Sequence, residues 1–263
     1  MEKSKENLTL EQIKLAAPSV FTKTSSEDTS DKYVHIPTSQ VIEDMQRLGW
    51  GVVDAKEVKA RKRVGFQKHL VVFQNPDIVV DGKDGDTVFP QIVLTNSHDG
   101  KNAFVFRAGL FRMICENGLI ISTQEFNNVK MRHMGYTFDE LQTQILEMVE
   151  QLPLTIEALN RMKAKKVTKE IALKFAQKAA MVRFGESKMK KFKIDYSQLI
   201  QPTRKEDSGD DVWSLYNIVQ EKLVSGDFEY VNGTKPRKAR AIKNFTQDIR
   251  VNQDLFELAE ALV

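Results

Sequence analysis

The stretch Leu94–Ile121, LTNSHDGKNAFVFRAGLFRMICENGLII, decides the fold that this chain can adopt. Two short apolar runs, Gln91–Asn96 and Asn102–Arg107, flank the polar segment Ser97–Lys101. The Asp-Gly pair in that segment supplies the positive φ that a tight hairpin turn needs. The stretch therefore predicts a β-hairpin.

The residues after the hairpin predict a short helix and a return strand. Apolar side chains recur at helical spacing across Ala108–Glu116, and Asn117-Gly118 offers a left-handed C-terminal cap. The apolar run Leu119–Ser122 then predicts a strand that returns along the hairpin.

The segment before the hairpin predicts one helix and the remaining strands of a meander. Thr38 or Ser39 can cap a helix that carries its apolar residues on one face and that Gly49 closes. The four strands are predicted at Trp50–Val53, His69–Phe73, Val88–Thr95 and Asn102–Arg107.

Beyond the return strand the apolar period changes to that of helices. A long amphipathic helix starts at about Thr137 and is disturbed near Pro153. Further helices are predicted between Thr168 and Gly185, from the capping sequence Ser208–Asp211, and over Gln253–Leu262. No internal repeat is visible in the sequence.

These elements predict an α+β protein with an N-terminal antiparallel β-meander with short helices and a C-terminal helical portion. Residues 1–31 are polar, so we expect a flexible arm, in which Leu8, Leu10, Ile13 and Leu15 can form one short helix that docks elsewhere. Residues 32–135 form the predicted meander domain, and residues 136–263 form a mainly helical portion packed on it.

Composition limits the class of protein. The chain has 263 residues, of which 41% are hydrophobic and 29% are charged, with a formal net charge of +3. One cysteine excludes an intramolecular disulfide and a cysteine-rich zinc site. No apolar run reaches the roughly 18 residues of a membrane span, and the charged start is unlike a signal peptide. We therefore expect a cytoplasmic protein.

Two patches resemble a known family. The pattern Arg112-x-x-Cys115-x-Asn117-Gly118-Leu119 resembles the signature of a large family of phage and plasmid proteins of unknown function, which includes YafZ and YubP. A second patch runs from Trp213 through Tyr216 and Asn217 to the basic segment that ends near Phe245. The resemblance covers roughly residues 32–263. It implies a mobile-element origin, an α+β fold and cytoplasmic residence.

Three clusters of basic residues are the clearest functional signal, at residues 56–68, 161–193 and 235–250. Concentrated positive charge binds phosphate backbones through release of counterions, although solvated faces of a folded domain can also be this basic. The candidate nucleic-acid-binding residues are Lys56, Lys59, Arg61, Lys62, Arg63, Lys68, Arg107, Arg112, Lys163, Lys165, Lys166, Lys190, Lys191, Arg237, Lys238 and Arg240.

Aromatic residues accompany these clusters. Phe184 and Phe192 lie within the second one, where bases of a single strand could stack while Lys and Arg follow the backbone. Phe104 and Phe106 alternate on one strand, and we expect that face to be core.

No motif predicts an enzyme. Cys115 could act as a nucleophile with His98 or His133 as the base, but its place on an apolar helix face favours a buried structural role. The four histidines lack ligand spacing, and no phosphate-binding or dinucleotide-binding glycine motif occurs. We predict no catalytic residue, no metal and no cofactor.

The order of helix, basic strand, meander and helix, with Gly49-Trp50, is similar to that in single-strand annealing recombinases such as Redβ, Erf and Sak over roughly residues 39–116. That similarity implies a homo-oligomeric ring or filament with a basic groove. We predict binding of single-stranded DNA in recombination, replication or annealing, and no membrane partner. The alternative is a non-enzymatic factor of a mobile element that engages a host protein through its amphipathic helix at 137–160.

Overall fold

The computed structural model describes residues 6–31, 33–59, 64–79, 88–112, 118–119, 129–131, 137–203 and 207–263. The chain divides into two units, Met1–Leu152 and Pro153–Val263. The first unit is built on an antiparallel sheet, and the second is mostly helical with a small sheet of its own. The predicted α+β class is therefore confirmed.

The first unit contains a six-stranded sheet. Its strands are β1 (Gly51–Glu57), β2 (His69–Gln74), β3 (Val88–Asn96), β4 (Phe104–Arg112), β5 (Gly118–Leu119) and β6 (Val129–Met131). The order is β1-β2-β3-β4-β5, and β6 also pairs with β4. Gly100 has a φ of 69° in the turn between β3 and β4, so the predicted hairpin and its Asp-Gly turn are confirmed.

The helix predicted over Ala108–Glu116 is wrong where the structure describes it. Strand β4 continues to Arg112, and its last residues pair with the start of β3, with Phe111 opposite Phe89 and Arg112 opposite Val88. Pairing along the whole of β3 outweighs the helical spacing of a few apolar side chains. Residues 113–117, including Cys115, lie outside the described residues.

Four helical segments pack on one face of this sheet. They are α1 (Leu10–Ala16), a 3-10 helix (Pro18–Phe21), α2 (Thr38–Arg47) and α3 (Phe138–Glu150). Their apolar side chains form one core with alternate residues of the strands, including Val71, Phe73, Leu94, Phe104 and Phe106. The predicted core role of Phe104 and Phe106 is confirmed, because both are fully buried.

The N-terminal residues, for which we expected a flexible arm, contribute to this core. Ile13, Ala17 and Val20 are fully buried, and the Leu8 amide donates to the Val52 carbonyl on β1 over 2.7 Å. Thr9 caps α1 and forms a capping box with Gln12. The short helix expected around Ile13 is confirmed.

The second unit consists of helices and a three-stranded antiparallel sheet. The helices are α4 (Leu152–Ala164), α5 (Lys169–Phe184), α6 (Glu186–Met189), a 3-10 helix (Tyr196–Ile200), α7 (Val212–Ser225) and α8 (Phe245–Glu260). The strands are β7 (Phe192–Ile194), β8 (Glu229–Asn232) and β9 (Lys235–Lys238), in the order β7-β8-β9. The sequence did not predict this sheet.

The predicted helices of this half are confirmed, with two changes of boundary. The long helix from Thr137 is interrupted at Gln151, so α3 and α4 are separate helices. The last helix begins at Phe245 rather than Gln253, because the Asn244 side chain caps it and accepts a bond from the Gln247 amide.

Candidate nucleic-acid interface

The small sheet of the second unit brings two basic clusters together. Lys193 on β7 pairs with Val231 on β8, which pairs in turn with Pro236 on β9. The lysines at the end of the second cluster thus lie two strands away from the third cluster. The exposed basic residues of these strands and of the segment before β7 are Lys190, Lys191, Lys193, Lys235, Arg237 and Lys238. By the strand register, Lys235 and Arg237 lie on one face of the sheet, and Lys193 and Lys238 lie on the other. We call these three strands and their side chains the basic sheet.

Aromatic rings lie on one face of the basic sheet. The ring centroids of Phe192 and Tyr230 are 4.6 Å apart, and Phe184 at the end of α5 packs within 5.3 Å of Phe192 and 5.7 Å of Tyr230. All three side chains are only partly buried. Arg237 lies opposite Tyr230 in the strand register and therefore shares this face. Ring surface and positive charge are adjacent here.

Arg183 is a buried cation that packs against the rings of Phe184 and Phe228. It is 8% exposed, and its guanidinium carbon lies 5.0 Å from the Phe184 ring centroid and 5.5 Å from that of Phe228. Its Nη2 donates to the Arg240 carbonyl just after β9. Burial lowers the pKa of the guanidinium, although an arginine remains charged. Arg183 therefore ties the end of α5 to the chain that leaves the sheet.

Tight turns set the position of β8. Gly226 adopts a left-handed conformation with a φ of 80° at the end of α7, and a Cβ there would collide with the backbone of Arg240. Gly233, with a φ of 63°, lies in the two-residue turn between β8 and β9. Gly233 at the first position of the two-residue turn Gly233-Thr234 was thus a sequence signal for this hairpin.

Acidic residues offset only part of the charge. Residues 186–195 and 227–240 contain eight Lys or Arg against four Asp or Glu. Asp227 lies 3.0 Å from Lys222 Nζ and 3.9 Å from Lys238 Nζ, and its hydrogen bond with Lys222 lowers its pKa. Glu229 lies opposite Lys238 in the register. An excess of positive charge remains on the basic sheet.

Other candidates of the second cluster lie away from the basic sheet. Lys163, Lys165 and Lys166 precede α5, whose far end reaches the sheet about 24 Å away, since each of its 16 residues adds about 1.5 Å. Lys166 is paired with Asp210, and their hydrogen bond raises the pKa of the lysine and lowers that of the aspartate. The predicted second cluster is therefore split.

The first cluster belongs to the first unit. Lys56 and Lys59 are exposed, and Lys56 forms an ion pair with Asp54 at 2.8 Å. Lys68 is partly buried, and burial, followed by the nearby charge of Arg107, lowers its pKa. Arg107 donates to Thr95 Oγ1 over 2.8 Å. Arg61, Lys62 and Arg63 lie outside the described residues, and only the backbone of Arg112 is described.

Three histidines of the first unit lie against one another with their rings tilted by 45–50°, and His35 is partly buried. The His98 ring centroid lies 4.5 Å from that of His35 and 5.2 Å from that of His69. His69 and His98 are fully buried, whereas His133 falls outside the described residues. Among the described residues, no group of His, Cys, Asp and Glu could hold a metal ion. Within the same part of the chain, no helix is long and apolar enough to cross a membrane.

Comparison with known proteins identifies the family. Residues 27–256 match the family described as Domain of unknown function (DUF932). The chain belongs to this family. The chain is also similar to two proteins of Escherichia coli (strain K12), each over 259 residues that cover 97% of this chain and 92% of the relative. UPF0380 protein YafZ is 29% identical and UPF0380 protein YfjQ is 28% identical. No solved structure matches.

Membership in the YafZ-containing family, predicted from two sequence patches, is thus confirmed. The second of those patches is part of the core of the second unit. Trp213 stacks on Tyr216 with centroids 5.8 Å apart, and the buried Asn217 side chain donates to the Trp213 carbonyl over 2.7 Å. The residues of this second patch therefore stabilise the fold. In the sequence, β7 precedes them and β8 and β9 follow them.

Proposed function

We propose that the protein binds single-stranded nucleic acid, DNA in particular, through the basic sheet and without catalysing a reaction. The observation that carries the proposal is the adjacency of partly exposed Phe192 and Tyr230 to Lys235 and Arg237, which the strand register places on the same face. Bases stack on aromatic rings while Lys and Arg neutralise phosphates, which is the usual chemistry of single-strand binding.

The second unit offers less to duplex DNA. Sequence-specific duplex binding commonly places an exposed helix in the major groove. Most side chains of α7, the helix that leads into β8, are buried, including Trp213 and Tyr216. Helix α5 exposes Lys174 and Lys178, and Phe184 at its end packs on the rings of the basic sheet. The basic sheet, whose rings are partly open to solvent, is better suited to unpaired bases.

Part of the positive charge on the basic sheet also has a structural explanation that needs no nucleic acid. Strand β9 is an edge of the basic sheet, and Lys and Pro on an edge strand discourage pairing with another chain. That role accounts for Lys235, Pro236 and Lys238. The same role can apply to Lys193 on β7, the other edge strand. It does not account for the partly exposed rings of Phe192 and Tyr230 beside Arg237.

The alternative role as a protein-interaction factor rested on the amphipathic helix after Thr137. Leu141, Ile145 and Met148, which form the apolar face of α3, are buried in the core of the first unit. That face is therefore occupied within the protein. The remaining exposed apolar residue of this helix, Leu146, is a single side chain on an acidic surface.

The wider proposal is a role in recombination, replication or annealing for a phage or plasmid in the cytoplasm, with a homo-oligomeric ring or filament as the working form. The resemblance that the sequence bears to mobile-element proteins supports it. The similarity in element order to annealing recombinases supports it less, because β4 occupies 108–112 where that order needs a helix.

The experiment that tests the proposal is fluorescence anisotropy with a labelled oligothymidylate and the variant Lys235→Ala/Arg237→Ala. Removing two phosphate contacts should weaken binding by at least about tenfold and lower the salt slope by about 1.4. The matched control, Lys165→Ala/Lys169→Ala, removes two exposed charges at the opposite end of α5 and should bind as the wild type does. Equal affinities for all three proteins would refute the basic sheet as the binding surface.

A further inference from the structure

The exposed face of α5 continues the aromatic face of the basic sheet. Lys174, Lys178 and Met181 are exposed, and Phe184 follows them at the end of the helix. At 100° per residue these four side chains fall within a sector of about 120°, so they lie on one side of the helix. Phe184 in turn contacts Phe192 and Tyr230. One surface therefore runs from β9 across the sheet and along α5.

The surface carries positive charge at both ends and apolar side chains between them. Arg237 provides charge at one end, the three rings lie in the middle, and Met181, which is 36% exposed, adds an apolar contact beside Phe184. Lys178 and Lys174 provide charge at the other end. Lys174 is paired with Glu170 at 2.6 Å, whereas both partners remain highly exposed to solvent. Alternation of rings or apolar atoms with cations suits a single strand.

We propose that a single strand of nucleic acid crosses the basic sheet, passes over Phe184 and continues along α5, where Met181 contacts a base and Lys178 binds a phosphate. This inference rests on the proposed function and defines the path of the ligand. The sheet is about 10 Å wide and the helix from Phe184 to Lys174 is about 15 Å long. At roughly 6 Å per nucleotide of an extended strand, the path accommodates about four nucleotides.

The path predicts how binding depends on oligonucleotide length. An oligothymidylate of about two nucleotides covers the sheet alone, whereas one of about eight also reaches Lys178. In NMR titrations of the labelled full-length protein, both should shift the amide resonances of β8 and β9. The longer oligonucleotide alone should also shift those of Lys178 and Met181.

The variant Lys178→Ala tests the path independently. It should weaken binding of the longer oligonucleotide by about threefold and leave binding of the shorter one unchanged. Lys169→Ala is the matched control, because Lys169 is exposed at the other end of the same helix, about 60° outside that sector, and should affect neither.

Two results would overturn the inference in different ways. If Lys178→Ala has no effect while Lys235→Ala/Arg237→Ala abolishes binding of both oligonucleotides, the sheet binds nucleic acid but the strand does not follow α5. If the wild-type protein binds neither oligonucleotide, the proposed function fails and the path fails with it.

Discussion

His69 is held by hydrogen bonds on both ring nitrogens in the interior of the first unit. Nδ1 lies 3.1 Å from the Gln67 carbonyl and 3.0 Å from Ser19 Oγ, and Nε2 lies 2.8 Å from Thr38 Oγ1. The carbonyl can only accept, so Nδ1 carries the proton and Nε2 accepts from the threonine hydroxyl. Thr38, which the sequence suggested as a helix cap, instead joins α2 to the sheet.

We predict that this histidine makes the first unit sensitive to acid. Burial lowers the pKa of His69 from 6.5 to about 4, although the Gln67 carbonyl acts in the opposite direction. The unfolded chain therefore binds the proton more tightly, and stability is lost as the pH falls from about 6.5 toward about 4. The loss is about 3 kcal/mol in the free energy of unfolding.

Urea unfolding of the wild type and of His69→Gln between about pH 7.5 and about pH 4.5 measures this loss. Carboxylates titrate in both proteins, so the difference between the two curves isolates the histidine. The variant should be less stable at neutral pH, with the gap closing as the pH falls. A gap that stays constant with pH would show that His69 does not titrate in this range.

Gly226 and Gly233 provide a matched pair for the turns of the basic sheet. Both have positive φ, but a Cβ at Gly226 would meet the Arg240 backbone, whereas nothing lies within 4 Å of one at Gly233. Gly233→Ala should cost about 1 kcal/mol from backbone strain alone. Gly226→Ala should cost about 2 kcal/mol more, because the chain after β9 must move. Thermal unfolding measures both, and equal losses would contradict the close approach.

At the scale of elements, α1 shows how one buried side chain can hold a short helix against the core. Ile13 is fully buried, whereas Leu15, two residues along the same helix, is 84% exposed. Ile13→Ala should lower the free energy of unfolding by about 2–4 kcal/mol. Leu15→Ala, the control, should change it by less than about 0.5 kcal/mol. Chemical denaturation of the two variants measures the contrast, and similar losses would mean that α1 does not pack as described.

Elements with strong local signals were predictable from the sequence. The hairpin turn at Gly100, the helix that Thr168 caps, and the two-sided burial of β2 all follow from turn chemistry, capping or apolar content. The extension of β4 to Arg112 was not predictable, because it depends on pairing with β3 across the hairpin. Local spacing cannot reveal that pairing.

The candidate interface was predictable only in part. Lys190, Lys191 and Phe192 were visible as a basic segment with a ring, and Arg237 and Lys238 as another. Their proximity depends on β8, which pairs with both segments although 34 residues, 195–228, separate it from β7. Tyr230 was missed for that reason. Gly233 as the first of two turn residues, between alternating residues, could have revealed its hairpin.

For the whole molecule, the distribution of charge matters more than its total. The formal net charge of +3 is small for a chain of 263 residues, so long-range attraction to nucleic acid is weak. Binding must come from local contacts, and each unit holds its own share of the basic residues. Affinity should therefore fall as the salt concentration rises. The slope of log affinity against log salt is proportional to the number of phosphates in contact.

The most direct measurement of the central claim is the affinity of the wild-type protein for a single-stranded and a duplex oligonucleotide of equal length, by fluorescence anisotropy at several salt concentrations. We expect tighter binding of the single strand and a slope of log affinity against log salt of about −2 to −3, from three or four phosphate contacts. Equal binding of both forms, or no binding at low salt, would contradict a single-strand-binding role for the basic sheet.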